Sequence, residues 1–166
     1  MSPSMDELAD FYERYIAAFN TGDQAAFAGF FNFPITVVHA PRHDDRRAGR
    51  PLAVVGDIDA LWAPLPEHWV RSTIDSVVPL ADAAPFAARD GLAQTDDFRP
   101  GILATVTRWH TDGQPYEHLH VLYLLSREAG HLGIKTIIEL ASARRPGSPT
   151  INSATFVGNS RRFGPS

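Results

Sequence analysis

The C-terminal half of the chain alternates between β-rich segments and short turns, and this pattern constrains the fold more than any other feature. Residues 102–110 are rich in β-branched side chains, which favour strands. Residues 111–114 contain the turn pair Asp-Gly, 116–125 form a second apolar segment, 127–130 a second turn, and 132–140 a third segment. Strands joined by such short turns must be antiparallel, since a parallel pair needs a long crossover. The sequence therefore predicts an antiparallel meander.

Two helices are predicted at the N-terminus. Ser4 and Glu7 have the spacing of a capping box, which satisfies free backbone amides at a helix start. Gly22 can adopt the left-handed conformation that ends a helix, and Asp23 can cap a second helix that stops before Pro34. The apolar face comprises Leu8, Phe11, Tyr12, Tyr15 and Phe19 in the first helix, and Phe27, Phe30 and Phe31 in the second.

The segments between the helices and the meander supply further strands. Residues 35–39 and 72–80 read as strands, and Asp57 reads as the cap of a short helix. Pro64 and Pro66 limit that helix to a turn or two, because proline disrupts a helix interior. Together with the meander, these segments predict the α+β class: a few N-terminal helices packed on a curved antiparallel sheet.

Two segments are predicted to lie outside this framework. Residues 81–100 lack a periodic pattern and are rich in Ala, Asp and Pro, as in a long insertion or lid-like loop. Residues 146–166 form a tail rich in Pro, Gly and Ser. We therefore expect a single domain over residues 1–145, followed by the tail.

Composition and charge exclude several classes of function. The chain has no cysteine, so disulfides, thiolate nucleophiles and cysteine-ligated metals are excluded. Its formal net charge of −4 is opposite in sign to the basic excess of a dedicated nucleic-acid binder. No apolar run reaches the length of a membrane-spanning helix, and the polar, acidic N-terminus does not match a signal peptide. We expect a cytoplasmic protein without nucleic-acid or membrane partners.

The order of elements carries a family resemblance. A long first helix ending in Phe-Asn-Thr-Gly-Asp at 19–23, a short Phe-rich helix and a strand precede the segments 105–113, 121–125 and 130–134. This pattern resembles the nuclear-transport-factor-2-like superfamily, which includes SnoaL-like polyketide cyclases, ketosteroid isomerases, scytalone dehydratase and limonene epoxide hydrolase. It spans about residues 6–142.

The resemblance implies a fold and a kind of ligand. The fold is a cone-shaped curved sheet around helices, often a homodimer, with a pocket at its open end that suits an apolar small molecule. Catalytic side chains differ between branches of the superfamily. Neither the isomerase Tyr/Asp pair nor the epoxide hydrolase Asp-Arg-Asp set has matching positions in this chain. No catalytic role can therefore be carried over.

Alternation along the meander suggests candidate catalytic residues. If both turns hold four residues, His118 faces Thr107 on one side and Glu139 on the other, with His120 two residues along the same strand face. A histidine opposite a carboxylate can act as an oriented general base, whose tautomer the carboxylate fixes. We predict His118 or His120 as the acid/base group and Glu139 as the group that orients it. The mixed face holds Thr105, Thr107, Trp109, Tyr116, His118, His120, Lys135 and Glu139, and the other face holds Ile102, Ala104, Val106, Leu119, Val121, Tyr123, Ile134 and Ile138.

Several other side chains are candidates for the walls of a pocket. They are the aromatic residues Tyr12, Tyr15, Trp62, Trp109 and Tyr116, and His39 at the end of a predicted strand near the mouth of the cone. The tyrosines can point a hydroxyl into a pocket, although aromatic residues at regular spacing more often belong to a core.

The same residues admit other interpretations. The mixed face can instead be an outer surface or a dimer interface with ordinary histidines. His118, His120 and Glu139 can also form a metal site with two histidines and one carboxylate, although no fourth ligand is visible. A binding or dimerisation domain of the same fold, without catalysis, is the alternative function. The leading hypothesis is a cofactor-independent enzyme that cyclises, isomerises or dehydrates an apolar carbonyl compound.

Overall fold

The computed structural model describes residues 3–38, 52–61, 69–80 and 100–144, with backbone alone for 52–53 and 141–144. In chain order it contains helices α1 (Met5–Thr21) and α2 (Gln24–Ala28), strands β1 (Phe31–Val38) and β2 (Leu52–Val55), the short helix α3 (Ile58–Leu61), and strands β3 (Trp69–Leu80), β4 (Gly101–His110), β5 (Pro115–Glu128) and β6 (His131–Arg144). The predicted insertion, apart from Pro100, and the predicted tail lie outside the described residues and stay predictions.

The helix ends follow the predicted caps. The Ser4 hydroxyl accepts a hydrogen bond from the Glu7 amide at 3.1 Å, which starts α1. The Glu7 carboxylate, which a capping box would direct back to Ser4, binds Arg127 at 2.9 Å. This ion pair ties the start of α1 to the end of β5, next to the turn between β5 and β6. Gly22 ends α1 with a φ of 72°, and the Asp23 carboxylate accepts from two backbone amides of α2. The predicted ends of the first helix and the predicted start of the second are confirmed. The second helix is shorter than predicted, since α2 ends at Ala28, and Phe31, which was predicted to lie in it, begins β1.

The strands form one six-stranded sheet in the order β2-β1-β6-β5-β4-β3. The meander of β4, β5 and β6 is confirmed, and the α+β class with a curved, unclosed sheet is that predicted. One neighbouring pair, β1 and β6, is parallel, so the sheet is mixed. No short turn joins these two strands, and their sequences therefore contain no signal of their relative direction.

The turn between β5 and β6 is shorter than the prediction. Glu128 pairs with His131, so only Ala129 and Gly130 lie between the strands. Both have positive φ values, 49° and 84°, as in the two-residue turns whose twist matches that of the flanking strands. As a result Ser126 lies opposite Gly133, whereas the predicted four-residue turn at 127–130 would place Leu124 there.

The core lies between α1 and the concave face of the sheet. It contains Leu8, Phe11, Tyr12, Tyr15, Ile16 and Phe19 from α1, together with Ile102, Ala104, Val106, Leu119, Val121, Tyr123, Ile134 and Ile137 from the meander. The Asn20 side chain fastens the end of α1 to β3, donating to the Ser72 carbonyl and accepting from its amide, both at 2.8 Å. None of the helices in the described part of the chain has the length and apolar character to cross a membrane.

Candidate functional site

The predicted catalytic residues lie on opposite faces of the sheet. His118 lies opposite Ala143 on β6, whereas Glu139 lies opposite Val121. Glu139 therefore shares the concave face with Val121, while His118 and His120 point from the convex face. The exposure of the side chains agrees with this assignment to opposite faces, since both histidines are exposed and Glu139 is buried. The predicted pairing of His118 with Glu139 is wrong, and the catalytic role of the histidines stays a prediction without that geometry.

A bulge in β6 explains the difference. Leu125 pairs with Ile134 and Leu124 with Thr136, so Lys135 is an extra residue without a cross-strand partner. One extra residue reverses the alternation beyond it, which turns Glu139 to the concave face. The face predicted to mix polar and aromatic residues is therefore the convex surface of the sheet. Its residues from β6 are the exception.

Three tyrosines meet on the concave side. The ring of Tyr123 on β5 lies 5.2 Å from Tyr12 and 5.4 Å from Tyr15, and the two α1 rings are 5.5 Å apart, measured between centroids. All three side chains are almost completely buried. Tyr12 and Tyr15 therefore lie in the core, as the apolar face of the first helix predicted, and Tyr123 joins them from the sheet. Their role as pocket walls stays a prediction.

The hydroxyls of Tyr12 and Tyr15 have no hydrogen-bond partner among the described residues. Tyr123 lies close enough to raise the pKa of both tyrosines, but it forms no hydrogen bond of normal geometry with either hydroxyl. Burial raises the pKa of Tyr12, Tyr15 and Tyr123, and the nearby Arg108 charge only partly opposes this. All three hydroxyls therefore keep their protons at neutral pH and can donate to an acceptor.

A buried ion pair lies on the same concave face. Arg108 on β4 is directly opposite Glu117 on β5, with 2.9 Å between Nη1 and Oε2. Their side chains are 5% and 0% exposed. The Arg108 charge lowers the pKa of all three tyrosines, and Glu139 raises that of Tyr123, so these groups are electrostatic neighbours. We call Tyr12, Tyr15, Arg108, Glu117, Tyr123 and Glu139 the interior cluster.

Sequence reasoning missed Arg108, Glu117 and Tyr123 as functional candidates. Arg108 continues the inward-facing series after Ile102, Ala104 and Val106, and Glu117 precedes the inward series of β5. A charged residue at an inward position of an otherwise apolar strand face is a usable signal, because burial of an unpaired charge is costly.

The other residues predicted to line a pocket lie elsewhere in the structure or outside the described residues. Trp109 lies on the convex side of β4, where its Nε1 donates to Thr73 at 2.8 Å and the Arg71 guanidinium lies 5.4 Å from its ring centre. It is therefore not part of the interior cluster. Tyr116 is buried beside the bulge after Arg108 and contacts the His110 ring. The candidates His39 and Trp62 lie outside the described residues.

The alternative interpretation of His118, His120 and Glu139 as a metal site is wrong, because Glu139 points from the other face. Across residues 3–38, 52–61, 69–80 and 100–144, no group of three or more His, Asp or Glu side chains is placed to hold a metal ion.

One buried hydroxyl leads to a prediction about stability. Tyr15→Phe is expected to stabilise the free protein by about 1 kcal/mol, because it removes a buried donor that has no partner among the described residues. Thr107→Val is the matched control, since Thr107 is also a buried residue but its hydroxyl makes two hydrogen bonds. Urea unfolding of both variants measures the difference. Destabilisation by Tyr15→Phe as large as that by Thr107→Val would show that the tyrosine hydroxyl is satisfied.

Comparison with known proteins identifies the fold. No protein-family model and no curated protein sequence matches the chain. A protein of unknown function with a cystatin-like fold from Nostoc punctiforme matches with a TM-score of 0.55 and 8% identity, over 91% of this chain and 100% of that one. A putative scytalone dehydratase from Novosphingobium aromaticivorans has a TM-score of 0.50 and 10% identity, over 83% and 85% of the two chains. A structure from Catenulispora acidiphila has a TM-score of 0.50 and 18% identity, over 81% and 88%.

These similarities confirm the fold that the element order predicted. The chain has the cone-type α+β fold of the nuclear-transport-factor-2-like superfamily, also described as cystatin-like. At such low identities the likeness extends to the backbone architecture alone, and chemistry must be argued from the interior cluster.

Proposed function

We propose that this protein is a cofactor-independent enzyme that performs acid/base chemistry on an apolar carbonyl compound held on the concave face of the sheet. The observation that carries this proposal is the interior cluster. It combines two buried carboxyl groups, a buried arginine and two buried hydroxyls that have no partner among the described residues, surrounded by apolar side chains. Such convergent polar groups in apolar surroundings are typical of small-molecule sites.

The tyrosine hydroxyls supply the binding step. Buried donors without partners are costly, so a ligand oxygen that accepts from Tyr12 and Tyr15 recovers the lost hydrogen bonds. Because their raised pKa keeps both hydroxyls protonated, they match a carbonyl oxygen, which can only accept. The same donors stabilise the negative charge that develops on this oxygen when a neighbouring carbon loses a proton.

Glu139 supplies the proton-transfer step. It is the carboxyl group of the interior cluster that lies opposite an apolar residue, Val121, rather than opposite Arg108. When Glu139 takes a proton from the carbon next to the carbonyl, the bonding electrons move into an enolate whose oxygen lies at the tyrosines. Arg108 favours that charge, while Glu117 holds the guanidinium in place.

The later steps distinguish three reactions that share this enolate. Return of the proton from Glu139 to another carbon isomerises the compound. Expulsion of a β-hydroxyl group, which takes that proton from Glu139 and leaves as water, dehydrates it. Attack of the enolate on a second carbonyl of the same molecule cyclises it, and the alkoxide that forms takes the proton from Glu139. The likeness to a putative scytalone dehydratase is an analogy at the level of the fold, and favours dehydration as the first reaction to assay.

The experiment that tests this function uses the shared first step. The full-length protein is incubated in D₂O with a panel of apolar cyclic ketones and 1,3-dicarbonyl compounds, and NMR follows deuterium uptake next to the carbonyl. We expect exchange above the buffer rate for one class of the panel and slower exchange in Tyr12→Phe/Tyr15→Phe. Binding without exchange would support the alternative, a ligand-binding domain. Exchange that is lost in His118→Ala/His120→Ala but normal in the tyrosine variant would move the site to the convex face.

A further inference from the structure

The convex face carries a hydrogen-bonded row of side chains that the proposed reaction does not use. Asp75 on β3, Thr107 on β4 and His118 on β5 come together across three neighbouring strands. Beside them Thr105 on β4 contacts His120 on β5. The two histidines are two residues apart on one strand and share the same face.

The contacts of Thr107 determine the tautomer of His118. The Thr107 hydroxyl lies 2.5 Å from Oδ2 of Asp75 and 2.8 Å from Nδ1 of His118. A carboxylate can only accept, so the single hydroxyl proton of Thr107 is donated to Asp75. The hydroxyl oxygen must then accept from the Nδ1–H of His118. The proton of the neutral ring is therefore on Nδ1, and Nε2 keeps its lone pair.

His120 is oriented in the same way. Its Nδ1 lies 3.2 Å from the Thr105 hydroxyl, so both imidazoles turn their Nδ1 edges toward threonines of β4. Both histidines are exposed, and the His118 side chain is 52% accessible. Residues two apart on a strand are separated by about 7 Å along it, a span that two imidazole rings can bridge toward one ion.

We propose that His118 and His120 form a surface site for a divalent transition metal, with Cu²⁺ preferred, in which the two Nε2 atoms are the protein ligands. Neutral imidazole nitrogen suits Cu²⁺, Ni²⁺ and Zn²⁺, and Cu²⁺ binds most tightly in that series. Water completes the coordination, because no third His, Asp or Glu in the described part of the chain is placed as a ligand. The oxygen-poor donor set disfavours Ca²⁺ and Mg²⁺.

Asp75 and Thr107 act as positioning residues for this site. A metal-ligating histidine usually donates its other N–H to a fixed acceptor, which holds the ring orientation, and loss of such a partner costs about 10- to 100-fold in metal affinity. In His118 the acceptor is the Thr107 hydroxyl, which Asp75 polarises. Thr107→Val should therefore weaken Cu²⁺ binding about tenfold or more, while Thr107→Ser keeps the hydroxyl and the affinity.

The test is a titration of the full chain with CuCl₂ in a non-coordinating buffer. Calorimetry measures the affinity, and electron paramagnetic resonance reports the ligands of the bound Cu²⁺. We expect one tight Cu²⁺ per chain with nitrogen couplings, and a loss of affinity of about tenfold or more in His118→Ala and in His120→Ala. His110→Ala/His131→Ala is the matched control, since it removes two other histidines and leaves the pair intact. ¹⁵N shifts of His118 should report the Nδ1–H tautomer in the free protein.

Two results would overturn the proposal. One is Cu²⁺ binding by His118→Ala/His120→Ala that equals wild type, which would assign the ion to other histidines. The other is an Nε2–H tautomer for His118, because the ligand lone pair would then point at Thr107. Because these readouts measure metal and tautomer, they are independent of whether the concave face is catalytic.

Discussion

Glu139→Gln is expected to lower the rate of deuterium exchange by about 10²- to 10⁴-fold, the usual contribution of a positioned general base. Glutamine keeps the size and shape of the side chain and can still form hydrogen bonds, but it cannot take a proton from carbon. Glu139 is buried on the concave face and acts electrostatically on Tyr123. The loss should therefore be in the chemical step, while the carbonyl compound still binds to the tyrosine hydroxyls.

The measurement combines initial exchange rates with ligand titration by NMR for the compound that exchanges fastest. Glu13→Gln is the matched control, because Glu13 is an exposed residue of α1 and undergoes the same chemical change. The control should exchange at the wild-type rate. Equal exchange in wild type and Glu139→Gln would exclude Glu139 as the base, and weaker binding with an unchanged maximal rate would limit it to ligand binding.

Local signals in the sequence were sufficient to predict most of the helices and strands. Ser4, Gly22 and Asp23 mark helix ends through short-range hydrogen bonds and backbone conformation, which depend on few neighbours. The hairpin of β4 and β5 pairs Thr107 with His118 and Thr105 with His120, as its Asp-Gly turn predicted. In such segments the turn length and the alternation determine the register together.

The candidate site was harder to predict because it depends on one irregular residue. The bulge at Lys135 leaves no mark in the pattern of apolar residues, since Ile137 and Ile138 are both apolar and either can face the core. A strand read without the bulge directs Glu139 outward, toward His118. Such a strand places the carboxyl group on the same face as the histidines and gives no sign of the concave cluster with Arg108.

Other predictions lie beyond what the described residues test. His39 and Trp62 as wall residues, the predicted insertion at 81–100 apart from Pro100, and the tail at 146–166 fall outside them. The homodimer, the domain boundary at residue 145 and the cytoplasmic location also stay predictions. They depend on a partner chain, on the tail or on the cell, rather than on the sheet and helices.

Arg108→Met is expected to destabilise the protein by about 3–5 kcal/mol, because it leaves the Glu117 carboxylate in the interior without its guanidinium. Glu117 is fully buried, and its distance to Arg108 is 2.9 Å. The exposed pair Arg14–Asp10 has the same distance but side chains that are 61% and 66% accessible. Arg14→Met should therefore cost less than about 1 kcal/mol, and urea unfolding of both variants measures the contrast.

The double variant Arg108→Met/Glu117→Gln separates the stability of this pair from its role in the site. Removal of both charges ends the cost of a buried carboxylate that has lost the Arg108 guanidinium, so much of the lost stability should return. Deuterium exchange should not return, because the charge that favours an enolate at the tyrosines is still absent. Recovery of both would mean that the ion pair serves the fold alone, whereas equal stability of Arg108→Met and Arg14→Met would contradict the burial of the pair.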